Sequence, residues 1–432
     1  MSESNGNLYD LLIIGAGASG MSAALSYQKE RILAGKGFGK VLILEKNERV
    51  GKKVLATGNG RCNLSNKDMS FAHFHSRCDD FPKTVFTHVC QNDVLSFLSR
   101  IGIVTTSEGN KLFPMSKTAA SVVDAFRYAL EENSIEIAAG AVVASIQKDS
   151  VFRVECEDKR MFEAHKVIVA CGGACAPNLG TTGDGFRWLS SLGHKVYAPK
   201  PSIVQLETEN AVTKALSGLR LDADLTLVAD GDVVAGQFGE VLFTDYGLSG
   251  PAVLQVSGEV ARRVRKDRLT VPVKVCLRLF DEEMLSNIRV QIEDRRELFG
   301  SRTIEQLLLS ILPQKIGTMI IKTALDRPLS MPVLSLSDQD IDRIISTLRS
   351  WEFRVIGTKS LEFAQTTIGG ADCEEFSPDT MESKVVPGLY ACGEVLDVDG
   401  DCGGYNLTWA FASGILAGRA CASEKAGEFD GD

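Results

Sequence analysis

The sequence predicts an α/β protein whose central parallel sheet takes strands from both ends of the chain. Near the start, the apolar run Tyr9-Asp10-Leu11-Leu12-Ile13-Ile14 feeds Gly15-Ala16-Gly17-Ala18-Ser19-Gly20, and Met21-Ser22-Ala23-Ala24-Leu25 begins a helix. At the far end, Leu389-Tyr390-Ala391-Cys392 runs into Gly393-Glu394, and Gly403-Gly404 precedes the helical stretch Tyr405-Asn406-Leu407-Thr408-Trp409-Ala410. The same strand, glycine turn and helix thus occur twice. If both copies belong to one sheet, one long ligand lies across it.

Composition narrows the class. The 432 residues exceed the roughly 250–300 that one core usually serves, so more than one domain is expected. With 44% hydrophobic and 24% charged residues and a mean hydropathy of +0.02, the chain reads as a soluble enzyme. A net charge of -9 and a pI near 5.3 disfavour a nucleic-acid-binding surface, leaving room only for a local basic patch. The first apolar run is already committed to the glycine-loop strand, so no targeting leader or membrane segment is expected, and the cytoplasm is the expected location. Eleven scattered cysteines, odd in number and without a C-x-x-C pair or nearby histidines at zinc spacing, point to small core residues. No metal site and no disulfide framework are expected. Cys171 and Cys175, flanking Gly172-Gly173, suit a turn of small residues.

Each element then has a physical task. Gly15 permits the tight turn, Gly17 lets backbone approach a pyrophosphate, and Gly20 lets the helix pack close to the strand. Ala18 and Ser19 open that helix, whose N-terminus receives the anion. The plainer alternative is a glycine turn in an ordinary α/β sheet. Against it stands Val41-Leu42-Ile43-Leu44-Glu45, a second buried strand whose acid follows the loop by about 25 residues, where a ribose diol is held. Lys46 follows it. The slightly long spacing is absorbed by residues 29–40, which carry Gly35, Gly37 and Gly39. Residues 50–63 come next, with Lys53, Thr57, Gly58, Asn59, Gly60, Arg61, Cys62 and Asn63 placed for contact with a planar, polar ligand. An NAD-only dehydrogenase does not need them. Short strands are expected at 135–137, at 141–146 with Val143, and at 151–156. Another at 166–171, which includes Ala170, leads to Gly172 and Gly173. This is the layout of a two-dinucleotide-binding-domain, Rossmann-like flavoprotein, and these residues are assigned to FAD.

Four segments together resemble a known family: Thr57-Gly58-Asn59-Gly60-Arg61-Cys62-Asn63, Gly180-Thr181-Thr182-Gly183-Asp184-Gly185, Phe243-Thr244-Asp245-Tyr246-Gly247-Leu248-Ser249-Gly250-Pro251, and Gly393-Glu394-Val395-Leu396-Asp397 on to Asn406. The chain is similar over essentially its whole length to the bacterial BaiN/YhiN-like FAD-dependent oxidoreductases, also called aminoacetone-oxidase-like flavoproteins. The resemblance implies a discontinuous FAD domain (1–198 and 368–432), an inserted β-barrel-like domain (199–280 and 351–367) and a small helical bundle (281–350). Hydrophobic periodicity agrees. Runs at 225–228, 239–243 and 269–275 read as strands, whereas Ile304, Leu307, Leu308 and Ile311, then Ile341, Ile344, Ile345 and Leu348, have helical spacing. Residues 351–367 return to extended sequence that completes the barrel.

In the closing segment, Gly393-Glu394 is expected near the flavin ribitol, and Asp397 is also assigned to the cofactor. Gly403, Gly404, Tyr405 and Asn406 are expected at a helix N-terminus facing the pyrimidine edge of the ring. Such a terminus contributes about 0.3–1 kcal/mol, up to about 2 when partly buried. About 1.4 kcal/mol corresponds to roughly 30 mV for a two-electron couple, so the dipole trims the flavin potential and does not select the reaction. No second G-x-G-x-x-G follows a strand, so NAD(P)H is expected as a transient donor over the flavin. Cys62 and Tyr405 are the candidate proton donors, with packing as their competing role. His73, His75, His88, His165 and His194 show no triad or metal spacing, and His194 is expected to end a helix.

Three activities remain open at this level. They are NAD(P)H-dependent reduction of a conjugated 3-oxo-enone such as a bile-acid or steroid intermediate, oxidation of an amino ketone by oxygen, and reduction of a ribosomal RNA uridine. The third would use the basic run Arg262-Arg263-Val264-Arg265-Lys266-Asp267-Arg268, which otherwise reads as a solvated helix end. A non-enzymatic, partner-binding flavoprotein is the remaining alternative. A hydrophobic small molecule is the favoured substrate.

Overall fold

The computed structural model describes residues 8–209, 211–266 and 268–423. The chain divides into two compact units, residues 1–200 with 365–432 and residues 201–364.

The first unit is built on a seven-stranded sheet. Strand β1 (Leu8–Ile14) leads into helix α1 (Ala18–Leu33), then β2 (Val41–Glu45) and the short helix α2 (Lys52–Ala56). The two-residue strand β3 (Phe74–His75) lies outside the main sheet. Strands β4 (Glu136–Ala139), β5 (Val143–Lys148), β6 (Phe152–Cys156) and β7 (Met161–Val169) follow. The chain re-enters with β8 (Leu389–Ala391), β9 (Asp399–Gly400) and helix α3 (Tyr405–Ser423).

The sheet order is β4-β2-β1-β7-β6-β5, with β8 also on β7. β1 is parallel to both neighbours, and Leu11, Leu12 and Ile13 are fully buried, as a strand covered on both faces requires. β7 does two jobs. Its first half pairs antiparallel with β6 through 161–164, and its second half pairs parallel with β8 through 167–169. Because of this division, the closing segment joins the same sheet as the N-terminal glycine loop.

Helices α1 and α3 pack through small residues. A Cβ on Gly414 would strike the Ser19 carbonyl oxygen, and one on Gly418 would strike that of Ala23, so two glycines one turn apart let the backbones meet. Gly20 is similarly closed in by the Gly15 carbonyl.

In the second unit a closed barrel runs in the order Leu206–Thr208, Gly247–Ser249, Asp232–Phe243, Arg220–Ala229, Val273–Arg278 and Trp351–Thr358. The last strand alternates buried and exposed residues, putting Trp351, Phe353 and Val355 inside beside Phe243. Helices Glu282–Leu298, Gln314–Ala324 and Asp338–Arg349 share one hydrophobic core with this barrel.

Several expectations shift. The apolar spacing at Ile304, Leu307 and Leu308 is core packing without an α-helix: only Ile304–Gln306 forms a 3-10 turn, capped by Thr303 and Gln306. The basic run is not simply a helix end. The helix Pro251–Arg262 stops at its first residue, and Val264–Arg265 pairs with Arg268–Leu269 as a two-stranded ribbon, with Asp267 outside the described residues. The helix before His194 ends at Ser191.

Candidate active site

The glycine loop at the end of β1 leaves an open, uncapped helix N-terminus. Gly15 adopts φ +108°, and a Cβ there would lie 2.6 Å from the Ala170 carbonyl oxygen. Gly17, the N-cap of α1, faces open space, and the first turn of α1 has neither a capping side chain nor an acidic residue. Its N–H groups are therefore left for a ligand. Glu45 ends β2 beside this loop, one carboxylate oxygen accepting from Ala16 N at 2.9 Å and the other from Asn47 N at 2.8 Å. A cleft of about 50 Å³ opens there, lined by Gly15, Glu45, Lys46, Val143, Cys171 and Trp188 among others. Lys46 reaches over it to Thr182 at 2.6 Å and Asp184 at 3.1 Å. The 180–185 turn thus contributes to the cleft, a placement its sequence position did not disclose.

The second glycine-rich run explains its own composition. Gly58, Asn59 and Gly60 take φ of +57°, +55° and +80°, a left-handed succession tolerated by Gly and Asn. Thr57 hydrogen-bonds the Val54 carbonyl, and Arg61 pairs with Glu108 at 2.6 Å over the Phe113 ring. The run ends at Asn63, whose Oδ1 is buried without a protein partner. Gly404 lies against it: a Cβ there would be 2.9 Å from that oxygen and 2.5 Å from the Ser65 carbonyl oxygen. Gly403 accepts through its carbonyl from Asn66 Nδ2 at 3.0 Å. These contacts bring the start of α3 to the 57–66 segment across more than 300 residues of sequence.

Beneath the glycine turns sits a charged cluster. Lys53 Nζ donates to Glu394 Oε2 at 2.6 Å and lies 3.1 Å from Cys175 Sγ. Glu394 Oε1 accepts from Thr367 N at 2.8 Å and from the Cys175 thiol at 3.2 Å. Burial works against charge on both Lys53 and Glu394, yet their mutual attraction outweighs it, holding Lys53 protonated and lowering the Glu394 pKa. Gly173 is pressed against the same carboxylate, and Gly172 lies against Thr181.

The side chains of the closing segment are largely engaged by the protein. Both Glu394 oxygens already accept from protein donors. Asp397, 4% exposed, is held by Arg77 Nη1 at 2.8 and 2.9 Å. Asn406 ties down the Gly400 backbone through both side-chain atoms. The strand-turn-helix pattern locates the segment but does not reveal these internal partners. The candidate donors fare likewise. Cys62 is fully buried, which pushes its thiol up to about 11, and Tyr405 is 3% exposed with its phenol pKa raised by burial.

Sequence spacing missed two histidine clusters. His73 and His75, at i and i+2 around β3, both reach Asp401: His73 Nδ1 at 2.9 Å and His75 Nε2 at 2.8 Å. The strand period and the Asp401-Cys402 turn were the available signals. His194 sits between Ser383 Oγ at 2.9 Å and Glu375 Oε2 at 3.0 Å, stacked on Phe376. Ser383 already accepts from Val385 N and Val386 N, so its proton goes to His194 Nε2. The His194 and Ser383 side chains of this array are buried, and only Glu375 reaches the surface. Among the described residues no group of His, Cys, Asp or Glu is arranged to hold a metal ion, and no helix is long and apolar enough to cross a membrane.

A Rossmann-type sheet, a glycine loop with an open helix N-terminus and a split ligand cradle define a dinucleotide-binding flavoprotein. The HI0933-like protein Rossmann domain model matches residues 9–420, and the chain belongs to this family of FAD-dependent oxidoreductases. It is 33% identical over 410 residues to a 3-dehydro-bile acid delta(4,6)-reductase of Clostridium scindens, covering 95% of this chain and 98% of the relative. It is 29% identical to a ribosomal RNA dihydrouridine synthase of Haemophilus influenzae, covering 93% and 96%. Among solved structures, a 3-ketosteroid delta1-dehydrogenase of Sterolibacterium denitrificans is similar with a TM-score of 0.49 at 13% identity, over 97% of this chain and all of that one.

Proposed function

We propose that the chain is an NAD(P)H-dependent reductase of a carbon–carbon double bond conjugated to a ketone, in a 3-oxo-Δ4 or Δ4,6 bile-acid or steroid intermediate, working in the cytoplasm. The observation that carries this is the near full-length similarity to the 3-dehydro-bile acid delta(4,6)-reductase. Bound FAD supplies two-electron chemistry, passing a hydride from N5.

The residues fit that cofactor. Gly15, Gly17, Gly20 and the first turn of α1, with Ala18 and Ser19, take the pyrophosphate. Glu45 would hold the ribose diol, and Lys46 and Val143, which line the same cleft, would meet the adenosine end of the cofactor. Residues 57–63 and 403–406 hold the ring. The orphaned Asn63 Oδ1 needs a donor, and the N3–H of a flavin is one. Lys53 and Glu394 would support the cofactor site by tying α2 to the segment after β8.

A second reading, reduction of a uridine in ribosomal RNA, is favoured by the dihydrouridine synthase relatives. The uracil C5=C6 bond is also conjugated to a carbonyl, so both readings need the same hydride and proton.

The test is anaerobic incubation with NADH or NADPH and either a 3-oxo-Δ4,6 bile acid or an unmodified ribosomal RNA fragment, followed by mass analysis. A gain of two hydrogens on the bile acid supports the first reading, and a gain on a uridine alone replaces it with the second. Imine and peroxide from aminoacetone in air, with neither acceptor reduced, would contradict both.

A further inference from the structure

Reducing a conjugated double bond consumes a proton as well as a hydride, and a proton donor that turns over must reload from solvent. Cys62 and Tyr405 are both closed off from water. We propose that His73 and His75, bridged by Asp401, are the proton-delivering pair beside the N-terminus of α3. This rests on the reading of the chain as a reductase of a conjugated double bond.

The placement is specific. β3 pairs antiparallel with β9, matching His75 to Asp399 and Phe74 to Gly400, and Asp401 N bonds the His73 carbonyl. The Asp401 carboxylate therefore receives one imidazole on each oxygen. The His73 ring stacks on Tyr405, the first residue of α3, with centroids 4.4 Å apart and planes at 21°. The side chains of His73, His75 and Asp401 are 27%, 28% and 24% exposed, so the cluster touches water while its neighbour Tyr405 does not. His73 also meets Asp68 at 3.2 Å, and His75 keeps Nδ1 without a partner among the described residues.

The charges around the pair are Asp68 from the preceding turn and Asp401 from the closing segment, with the phenol of Tyr405 on α3. Burial opposes charge on His73, and its hydrogen bonds to Asp401 and Asp68 outweigh that opposition, raising its pKa above the usual histidine range. Two carboxylates facing the His73 ring favour a proton stored there.

The step balances. A reduced nicotinamide gives two electrons and a hydrogen to the flavin, and a hydride passes to the β-carbon of the enone. The π pair of the C=C bond moves to form an enolate. The nucleophilic carbon of that enolate then takes the proton from His75 Nδ1–H. The imidazole left behind keeps its Nε2–H on Asp401, which His73 holds in place from the other oxygen, and is reprotonated at Nδ1 from water.

The experiment uses the FAD-loaded enzyme, reduced anaerobically and mixed with a 3-oxo-Δ4,6 bile acid across pH 5–9 in a stopped-flow instrument. Wild type, His73→Asn, His75→Ala, the double variant and Asp401→Asn are compared, with flavin reduction by NAD(P)H as the control half-reaction. The expected result is fast wild-type flavin reoxidation that falls as the imidazolium is lost at higher pH. For His75→Ala, reoxidation falls by at least about 100-fold, the pH dependence disappears, and added imidazole restores the rate. Flavin reduction stays within about twofold of wild type, as a local proton-transfer role requires.

A second readout is proton NMR titration of the histidine rings, of which there are five, with the His73 midpoint high in wild type and lowered in Asp401→Asn. Variants that reoxidise at the wild-type rate and pH profile would overturn the pair while leaving the reductase reading intact. A wild-type enzyme that is not reoxidised by the enone at any pH overturns that reading and the pair with it, and it does so before any variant is measured.

Discussion

Glycine positions separate what the cofactor needs from what the fold needs. A methyl at Gly20 would meet the Gly15 carbonyl, whereas one at Gly17 enters open space. Gly20→Ala is expected to cost about 1–3 kcal/mol through overpacking. Gly17→Ala should leave the melting temperature near wild type and lower FAD occupancy, read from flavin absorbance per protein. Equal stability losses in both variants would contradict this division.

The Lys53–Glu394 pair is mostly buried and fully bonded, so Lys53→Met alone should cost about 3 kcal/mol by stranding a carboxylate. Lys53→Met with Glu394→Gln should recover part of that loss in denaturant titrations. The lowered pKa of Glu394 stabilises the fold above the ordinary carboxylate range and is lost as pH falls. The raised pKa of Lys53 is lost only as pH rises beyond the ordinary lysine range. The pair thus contributes fully across neutral pH.

At the scale of elements, the strands and helices of the glycine loops were legible because their apolar runs and turn residues agree. Their partnerships were not. Nothing in the sequence near His194 announces that Ser383 and Glu375 will enclose it, since those contacts span more than 180 residues. Burial lowers the His194 pKa against the pull of Glu375, and Ser383 fixes the neutral tautomer. A lowered histidine pKa stabilises the fold above the unfolded value near 6.5 and loses that contribution as pH falls. Unfolding free energy should therefore drop as pH falls below about 6.5, and His194→Gln should flatten that drop. An unchanged slope would place the acid sensitivity elsewhere.

The α1–α3 contact belongs to this scale too. Gly414→Val forces a side chain into the Ser19 backbone and should lower the melting temperature and, if both helix N-termini hold the cofactor as proposed, release FAD together with it. Stable protein with full flavin would contradict the helix packing described.

For the whole molecule, the sequence identifies a flavoprotein more readily than a reaction. A split strand-glycine-helix pattern reads directly as a dinucleotide cradle, because backbone approach to a phosphate demands particular residues at particular places. Proton chemistry makes no such demand. His73, His75 and Asp401 meet only after β3 and β9 pair, and Cys62 and Tyr405 looked available only until their burial was known. The apolar run at 304–308 misled for a related reason: core packing of a 3-10 turn and of an α-helix draws on the same residues.

The most direct measurement is an anaerobic titration of the purified, FAD-loaded protein, first with one equivalent of NADH or NADPH and then with one equivalent of a 3-oxo-Δ4,6 bile acid. The expected result is loss of the oxidised flavin band and its stoichiometric return, with the acid two hydrogens heavier. Flavin that nicotinamide bleaches but the enone does not restore, while oxygen or a uridine-containing RNA does, would contradict the assignment.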